Sequence, residues 1–370
     1  MPLVDWRRCY REATKAIEYD ASTQLGVELP DSFRGHFVPE EARAHAALRM
    51  THTTTIVFAQ GETRVTLSVM HPTATLPAAL QDLLLCIRFA VTMLNAAARP
   101  LPSARLYWIC CDIPKVMDMR RHSKAPKRPF VLGPEHVNSG YTMRVMQHVV
   151  VYRIEEAEKV FIHELVHLWG LDALLLDDAQ VDVVEKCTPT CEAPFQIQPK
   201  THIGAREAIT DAIAIIAHTA FCVAHRRIPK TRADAMTVQN EHIMNQAAKV
   251  LRIQGFKSLE ELRVRPYFED THVCMYYVVK AALLARWRQF EKACASRGQA
   301  DMQSRGQADM QSRGQADMQS RGQADMQSLG RADMVEFVTS AVTAPAFVKR
   351  LEALLNSRHK ATASMRMGAF

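Results

Sequence analysis

No membrane span is expected in this sequence. The most apolar early run, LLLCIRFAVTML (Leu83–Leu94), is short and carries Arg88 in its middle. A bilayer segment needs about 20 predominantly apolar residues, so this run reads as a buried helix. The opening MPLVDWRRCYREATK has charges but lacks the apolar core of a secretory signal. A disulfide pattern is missing as well. The nine cysteines are odd in number and irregularly spaced in a large chain, which fits a reducing, intracellular compartment. A strong charge of one sign is also absent. The formal net charge of +7 over 370 residues is no nucleic-acid footprint by itself. Neither a nucleic-acid nor a membrane partner is expected. What the chain does have is 48% hydrophobic residues, enough for a sizeable core and an argument against global disorder.

Repetition is confined to the far end. The octapeptide SRGQADMQ recurs unchanged from Ser296 to Gln327, and a degraded copy, SLGRADMV, follows. Each copy brings a glycine, a cancelling Arg and Asp, and no large apolar residue except Met. Such a segment buries too little surface to offset its ordering entropy, so residues 296–331 read as a linker. Upstream, TTTIVFAQ and ETRVTLSV flank Gly61 as a β-hairpin would. Leu76–Ala98 has helical character, Ala104–Ile113 reads as a central strand, and Pro114–Thr142 as a loop. Gln147–Arg153 reads as a strand. From Glu155 the pattern is mainly helical up to the repeats. Ala344–Asn356 is an amphipathic helix expected to pack back on the core. Strands first and helices later imply an α+β fold. The expected divisions are an N-terminal β-rich region (1–75), a main domain (76–295), the linker and a helical tail (332–370).

The chemistry concentrates in VFIHELVHLWGLD, Val160–Asp172. Residues four apart lie on one face of a helix, so His163 and His167 can aim two imidazole nitrogens at one point. A tetrahedral Zn²⁺ needs that from its first two ligands. Glu164 falls on the neighbouring face, within reach of water at the metal, in the HExxH arrangement. Phe161, Ile162, Leu165, Val166, Leu168 and Trp169 are apolar, so the helix should be buried. Buried polar side chains there require partners. A third ligand six residues past the second histidine would fall on Ala173, which cannot serve. Asp172 sits one residue early and is left for holding a histidine or the helix end. A later helix offers the other solution. HIGAREAITDAIAIIAH, His202–His218, places Glu207 and Asp211 on one face. Glu207 could complete the metal site while Asp211 accepts the spare N–H of a ligand histidine. Both acids could instead be solvated surface residues.

His163-Glu164-x-x-His167 followed by Glu207-x-x-x-Asp211 resembles the gluzincins, the thermolysin-like zinc peptidases. The resemblance implies a zincin-like half containing the HExxH helix. It implies zinc on His163, His167 and Glu207, Glu164 as general base, and Asp211 orienting a histidine. The gap before Glu207 is longer than in thermolysin. A looser resemblance covers Leu106–His218 and is to uncharacterised HExxH proteins of large DNA viruses. Together these imply a zinc metallopeptidase acting on a peptide or protein substrate. A catalytically inactive relative that binds a partner around a structural zinc is the alternative. A third reading is an interaction protein in which HExxH is accidental.

Gluzincins usually present a strand edge before the zinc helix, and Gln147–Arg153 is the candidate for substrate addition, although the same strand could be central and covered. His136, Asn138 and Tyr141 in the preceding HVNSGYT could polarise a carbonyl, although Asn-Ser-Gly is ordinary turn chemistry. Cys187 and Cys191 in CTPTC lack a second pair at zinc-finger spacing and read as free thiols. The basic run Lys115–Pro129 reads as a solvated loop. His218, His225, His242 and His272 read as structurally satisfied, with room for one downstream His or Tyr to stabilise a transition state.

Overall fold

The computed structural model describes residues 4–116, 130–176, 196–198, 205–296, 334, 336–357, 364–366 and 368–370. The octapeptide repeats from residue 297 on, Cys187, Cys191, residues 202–204 and the basic run beyond Val116 lie outside the described residues. Helix takes 54% and strand 16%, so the fold is mixed and dominated by helix.

One six-stranded sheet organises the N-terminal part. Its strands are β1 (Asp20–Leu25), β2 (His52–Gln60), β3 (Thr63–His71), β4 (Ser103–Ile109), β5 (Gly140–Met143) and β6 (His148–Val151), in the order β1-β2-β3-β4-β6-β5. The expected hairpin is present: β2 and β3 pair antiparallel around Gly61, whose φ of 61° suits a residue without a Cβ. β4 pairs parallel with both β3 and β6 and is central, as its apolar run suggested. Because β3 hydrogen-bonds β4, one sheet runs through the division expected after residue 75.

Two expectations need correction. The strand in Gln147–Arg153 is not an edge. It forms β6, covered by β4 on one side and β5 on the other. On that side the sheet ends in β5, taken from HVNSGYT, which sequence alone assigned to a turn, and β1 is the opposite edge. The antiparallel pairing of β5 with β6 supplies the backbone partners that a turn would have left to water.

The helices are α1 (Trp6–Thr14), α2 (Glu40–Arg49), α3 (Leu80–Ala97), α4 (Ala157–Trp169), α5 (Leu171–Leu176), α6 (Ala205–Ala224), α7 (Arg232–Ile253), α8 (Lys280–Ala285) and α9 (Pro345–Leu355). A π-helical turn, Met275–Val279, leads into α8. α3 and α6 are long and apolar enough to cross a bilayer, yet their most apolar windows are 61% and 83% buried within the protein. α9 buries Phe347, Leu351 and Leu355 and packs on α7. α4 lies in the middle, packed against α3, α6, β5 and β6. It therefore joins the β5 edge of the sheet to the helical half.

Candidate metal centre

α4 is bounded by two left-handed residues, Glu156 (φ 61°) and Gly170 (φ 68°). The Gly170 N–H returns to the carbonyls of His167 and Val166, closing the helix as glycine does after a last turn. Between these ends the apolar residues enter the core, and His163 and His167 share a face one turn apart. α6 runs beside α4 and brings Glu207 to that face.

The three side chains converge. The Nε2 atoms of His163 and His167 are 3.1 Å apart. Glu207 Oε2 is 3.4 Å from each. A tetrahedral divalent ion with nitrogen and oxygen ligands at about 2.0–2.1 Å holds those ligands about 3.3–3.4 Å apart. The triangle has that size. The identity of its atoms matters as much. His163 Nδ1 lies 3.1 Å from Asp211 Oδ1, and His167 Nδ1 lies 2.8 Å from Asp172 Oδ2. Carboxylates only accept, so each imidazole donates from Nδ1 and turns a lone pair inward at Nε2. Glu207 Oε2 is buried and accepts no hydrogen bond. With both imidazoles neutral, three acceptors face one another, and a cation satisfies that set. These residues could hold a metal ion.

The surrounding charges are arranged to keep this geometry. Asp211 is fully buried and accepts from Lys159 Nζ at 2.6 Å through Oδ1 and from Lys280 Nζ at 2.5 Å through Oδ2. Burial alone would raise its pKa, but the two lysines and His163 hold it well below the usual carboxylate range. Burial would lower the pKa of the imidazoles. The carboxylates of Asp211 and Glu207 nevertheless hold His163 above its ordinary value, and Glu207 with Asp172 holds His167 well above. Glu207 in turn is drawn well below its range against burial, first by His167 and then by His163. The field at the triangle favours positive charge.

Glu164 stands beside the triangle, held by the β5 edge of the sheet. Thr142 Oγ1 lies 2.8 Å from Glu164 Oε2 and 2.8 Å from the Glu164 carbonyl. Burial pushes the Glu164 carboxyl up, while the two histidines and Thr142 pull the other way. Gly140 makes the close approach of strand and helix possible. A Cβ there would meet Val160 Cγ1 at 2.9 Å, the Val150 carbonyl at 2.9 Å and Glu164 Cγ at 3.2 Å. Tyr276, on the π-helical turn, places its ring centroid 6.0 Å from that of His163. Burial raises its hydroxyl well above the ordinary value, with Glu207 and Glu164 adding to the rise, so it stays a donor. The histidines, Glu164, Glu207, Tyr276 and β5 all line one cavity of about 470 Å³.

The structure brings together His163, Glu164, His167, Glu207 and Asp211 from the sequence reading. Other candidates have partners elsewhere. Tyr141 Oη is 2.9 Å from Ser32 Oγ, His136 Nδ1 accepts from the Gly133 N–H, and Asn138 Nδ2 donates to the Phe37 carbonyl. His242 bonds the Arg366 carbonyl, and His225 bonds Tyr10 and Asp82. Sequence reasoning missed Thr142, Tyr276, Lys159 and Lys280. Of the two roles left open for Asp172, holding a histidine is the one its contact with His167 Nδ1 fits. Comparison with protein-family models, with curated proteins and with solved structures finds no match to this chain.

Proposed function

We propose that this chain is a zinc-dependent metallopeptidase with a zincin-like half, α4 being its active-site helix. The observation that carries the reading is the acceptor triangle of His163, His167 and Glu207 with Glu164 alongside. Two imidazoles and one carboxylate are a zinc peptidase donor set, leaving a coordination position for chemistry. Bound to these three residues, zinc supplies Lewis acidity and a nucleophile at neutral pH.

The chain's own groups do the rest. Glu164 takes the proton of the attacking water and passes it to the leaving amine. Its upward pKa shift suits a base working near neutrality, and Thr142 fixes the carboxylate that receives the proton. Tyr276 donates to the oxygen that becomes negative in the transition state. Asp211 and Asp172 hold the two imidazoles in one tautomer and orientation. β5 is a terminal strand of the sheet and lines the cavity, so an extended peptide can add to it through backbone hydrogen bonds. That feature favours a peptide substrate over a small molecule. An intracellular setting accords with Cys9, Cys86, Cys110, Cys111, Cys222 and Cys274, which are free and buried.

The test is a peptide-library digest with wild type and Glu164→Gln, with metal measured in both. Cleavage by wild type, reduced about 10²–10⁴-fold in the variant at unchanged metal content, is expected. Metal retained with no cleavage by either protein would leave an inactive, partner-binding relative of such enzymes. Metal absent from both would remove the reading altogether.

A further inference from the structure

A second cluster lies on the same helix pair. α4 and α6 are antiparallel: His163 meets Asp211, His167 meets Glu207, and further along the seam Glu158 meets His218. With a rise of 1.5 Å per residue, this second meeting point lies about 10 Å along α4 from the first. His218 Nε2 is 3.1 Å from Glu158 Oε2 and 3.5 Å from Cys222 Sγ. His218 and Cys222 are four apart on α6 and are both buried. One ligand atom from each of Glu158, His218 and Cys222 lies within 4.8 Å of the others.

We infer that Glu158, His218 and Cys222 form a second metal site, structural in role and selective for a thiophilic divalent cation such as Zn²⁺. Ligand lengths of about 2.0–2.1 Å to nitrogen or oxygen and about 2.3 Å to sulfur set tetrahedral edges of about 3.3 Å for N–O and about 3.6 Å for N–S. The two spacings observed, 3.1 and 3.5 Å, are close to those edges. Sulfur selects against Mg²⁺ and Ca²⁺, which take oxygen ligands.

The charges close as well. Arg227 donates to both Glu158 oxygens, at 2.6 and 2.8 Å, and pairs with Asp82 at 2.8 Å. A divalent cation here would be balanced by the Glu158 carboxylate and a Cys222 thiolate, the thiol proton being released on binding. The guanidinium fork holds the Glu158 carboxylate toward the histidine. Cys86 of α3 adds a further sulfur beside the group, its thiol reaching the Glu158 carbonyl at 3.9 Å. A cation here would fasten α4 to α6 on the side away from Glu164 and fix the seam on which the first site depends.

The test is a Co²⁺ titration of the full chain after metal removal, read in the near ultraviolet. A thiolate-to-cobalt charge-transfer band reports sulfur ligation, and His163, His167 and Glu207 offer no sulfur. The band is expected to saturate at about one equivalent, to persist in His163→Ala and to vanish in Cys222→Ser. Total metal should fall from about two equivalents to about one in either variant. Should Cys222→Ser fail to fold, X-ray absorption of the zinc-loaded wild type decides, with a sulfur shell at about 2.3 Å expected. No charge-transfer band, a band that survives Cys222→Ser, or a zinc shell without sulfur overturns the assignment and leaves a protonated His218 between Glu158 and Cys222. These outcomes do not depend on peptide cleavage, so the two sites stand or fall separately.

Discussion

Replacing Asp172 and Asp211 by asparagine, one at a time, separates the work of two carboxylates that look alike on paper. Each accepts from the Nδ1 of one histidine. Asp172→Asn keeps the shape but presents an amide that can be turned to accept only through one atom. The His167 imidazole loses its charged partner and part of its basicity. Loss of such an outer carboxylate costs about 10–100-fold in metal affinity, or about 1.4–2.7 kcal/mol. The fold should barely respond, because among the described residues Asp172 otherwise has a charged partner only in Arg206, at 3.5 Å. Asp211→Asn is different. Asp211 also neutralises Lys159 and Lys280, both buried, at 2.6 and 2.5 Å. Removing its charge deprives two buried ammonium groups of the carboxylate they share. Breaking a buried pair in this way costs about 3–5 kcal/mol, a drop in melting temperature of about 4–6 °C for a chain this size. The assays are a chelator-competition titration for metal and a thermal melt for stability. The reasoning is refuted if Asp172→Asn binds metal as tightly as wild type, or if Asp211→Asn melts within a degree or two of it.

Other perturbations probe single links. Tyr276→Phe should lower kcat about 10²–10³-fold with little change in KM, because its hydrogen bond matters only as charge develops; an effect confined to KM contradicts that role. Gly140→Ala should destabilise the protein by about 1–3 kcal/mol, since its Cβ meets a backbone carbonyl and a valine methyl at 2.9 Å. It should also displace Glu164 and depress turnover, and a variant of wild-type stability and activity would show that strand and helix are not in close contact. Glu269 offers a pH test. Burial lifts its carboxyl from 4.5 to about 8 against hydrogen bonds from the Cys274 and Val273 N–H groups. The folded state then keeps a proton that the unfolded state gives up, so stability falls as pH rises from about 4.5 to about 8. Glu269→Gln should lose that slope in urea unfolding measured at pH 5 and pH 9; identical slopes in both proteins contradict the assignment.

Much of the centre was legible because it rests on local spacing. The i, i+4 histidines and the i, i+4 acids of α6 each declare a helical face, and the alanines and isoleucines around Glu207 and Asp211 mark that helix as buried. The hairpin at Gly61 and the apolar run of β4 were readable for the same reason. What failed was non-local. Nothing in HVNSGYT distinguishes a turn from an edge strand, since the deciding hydrogen bonds come from β6. Thr142 is unremarkable until its strand is laid against α4. Lys159 and Lys280 carry no local signal of burial, because burial of a lysine depends on a carboxylate, Asp211, that arrives from another helix. His218 looked merely satisfied, and its neighbours Glu158 and Cys222 gain meaning only through the antiparallel register of α4 and α6.

The central claim is that His163, His167 and Glu207 grip one divalent cation. Elemental analysis of purified wild type beside Glu207→Ala and His163→Ala, each dialysed against the same dilute chelator, tests it most directly. The account predicts that both variants carry about one equivalent of zinc fewer than wild type while remaining folded. Equal zinc in all three folded proteins would contradict it.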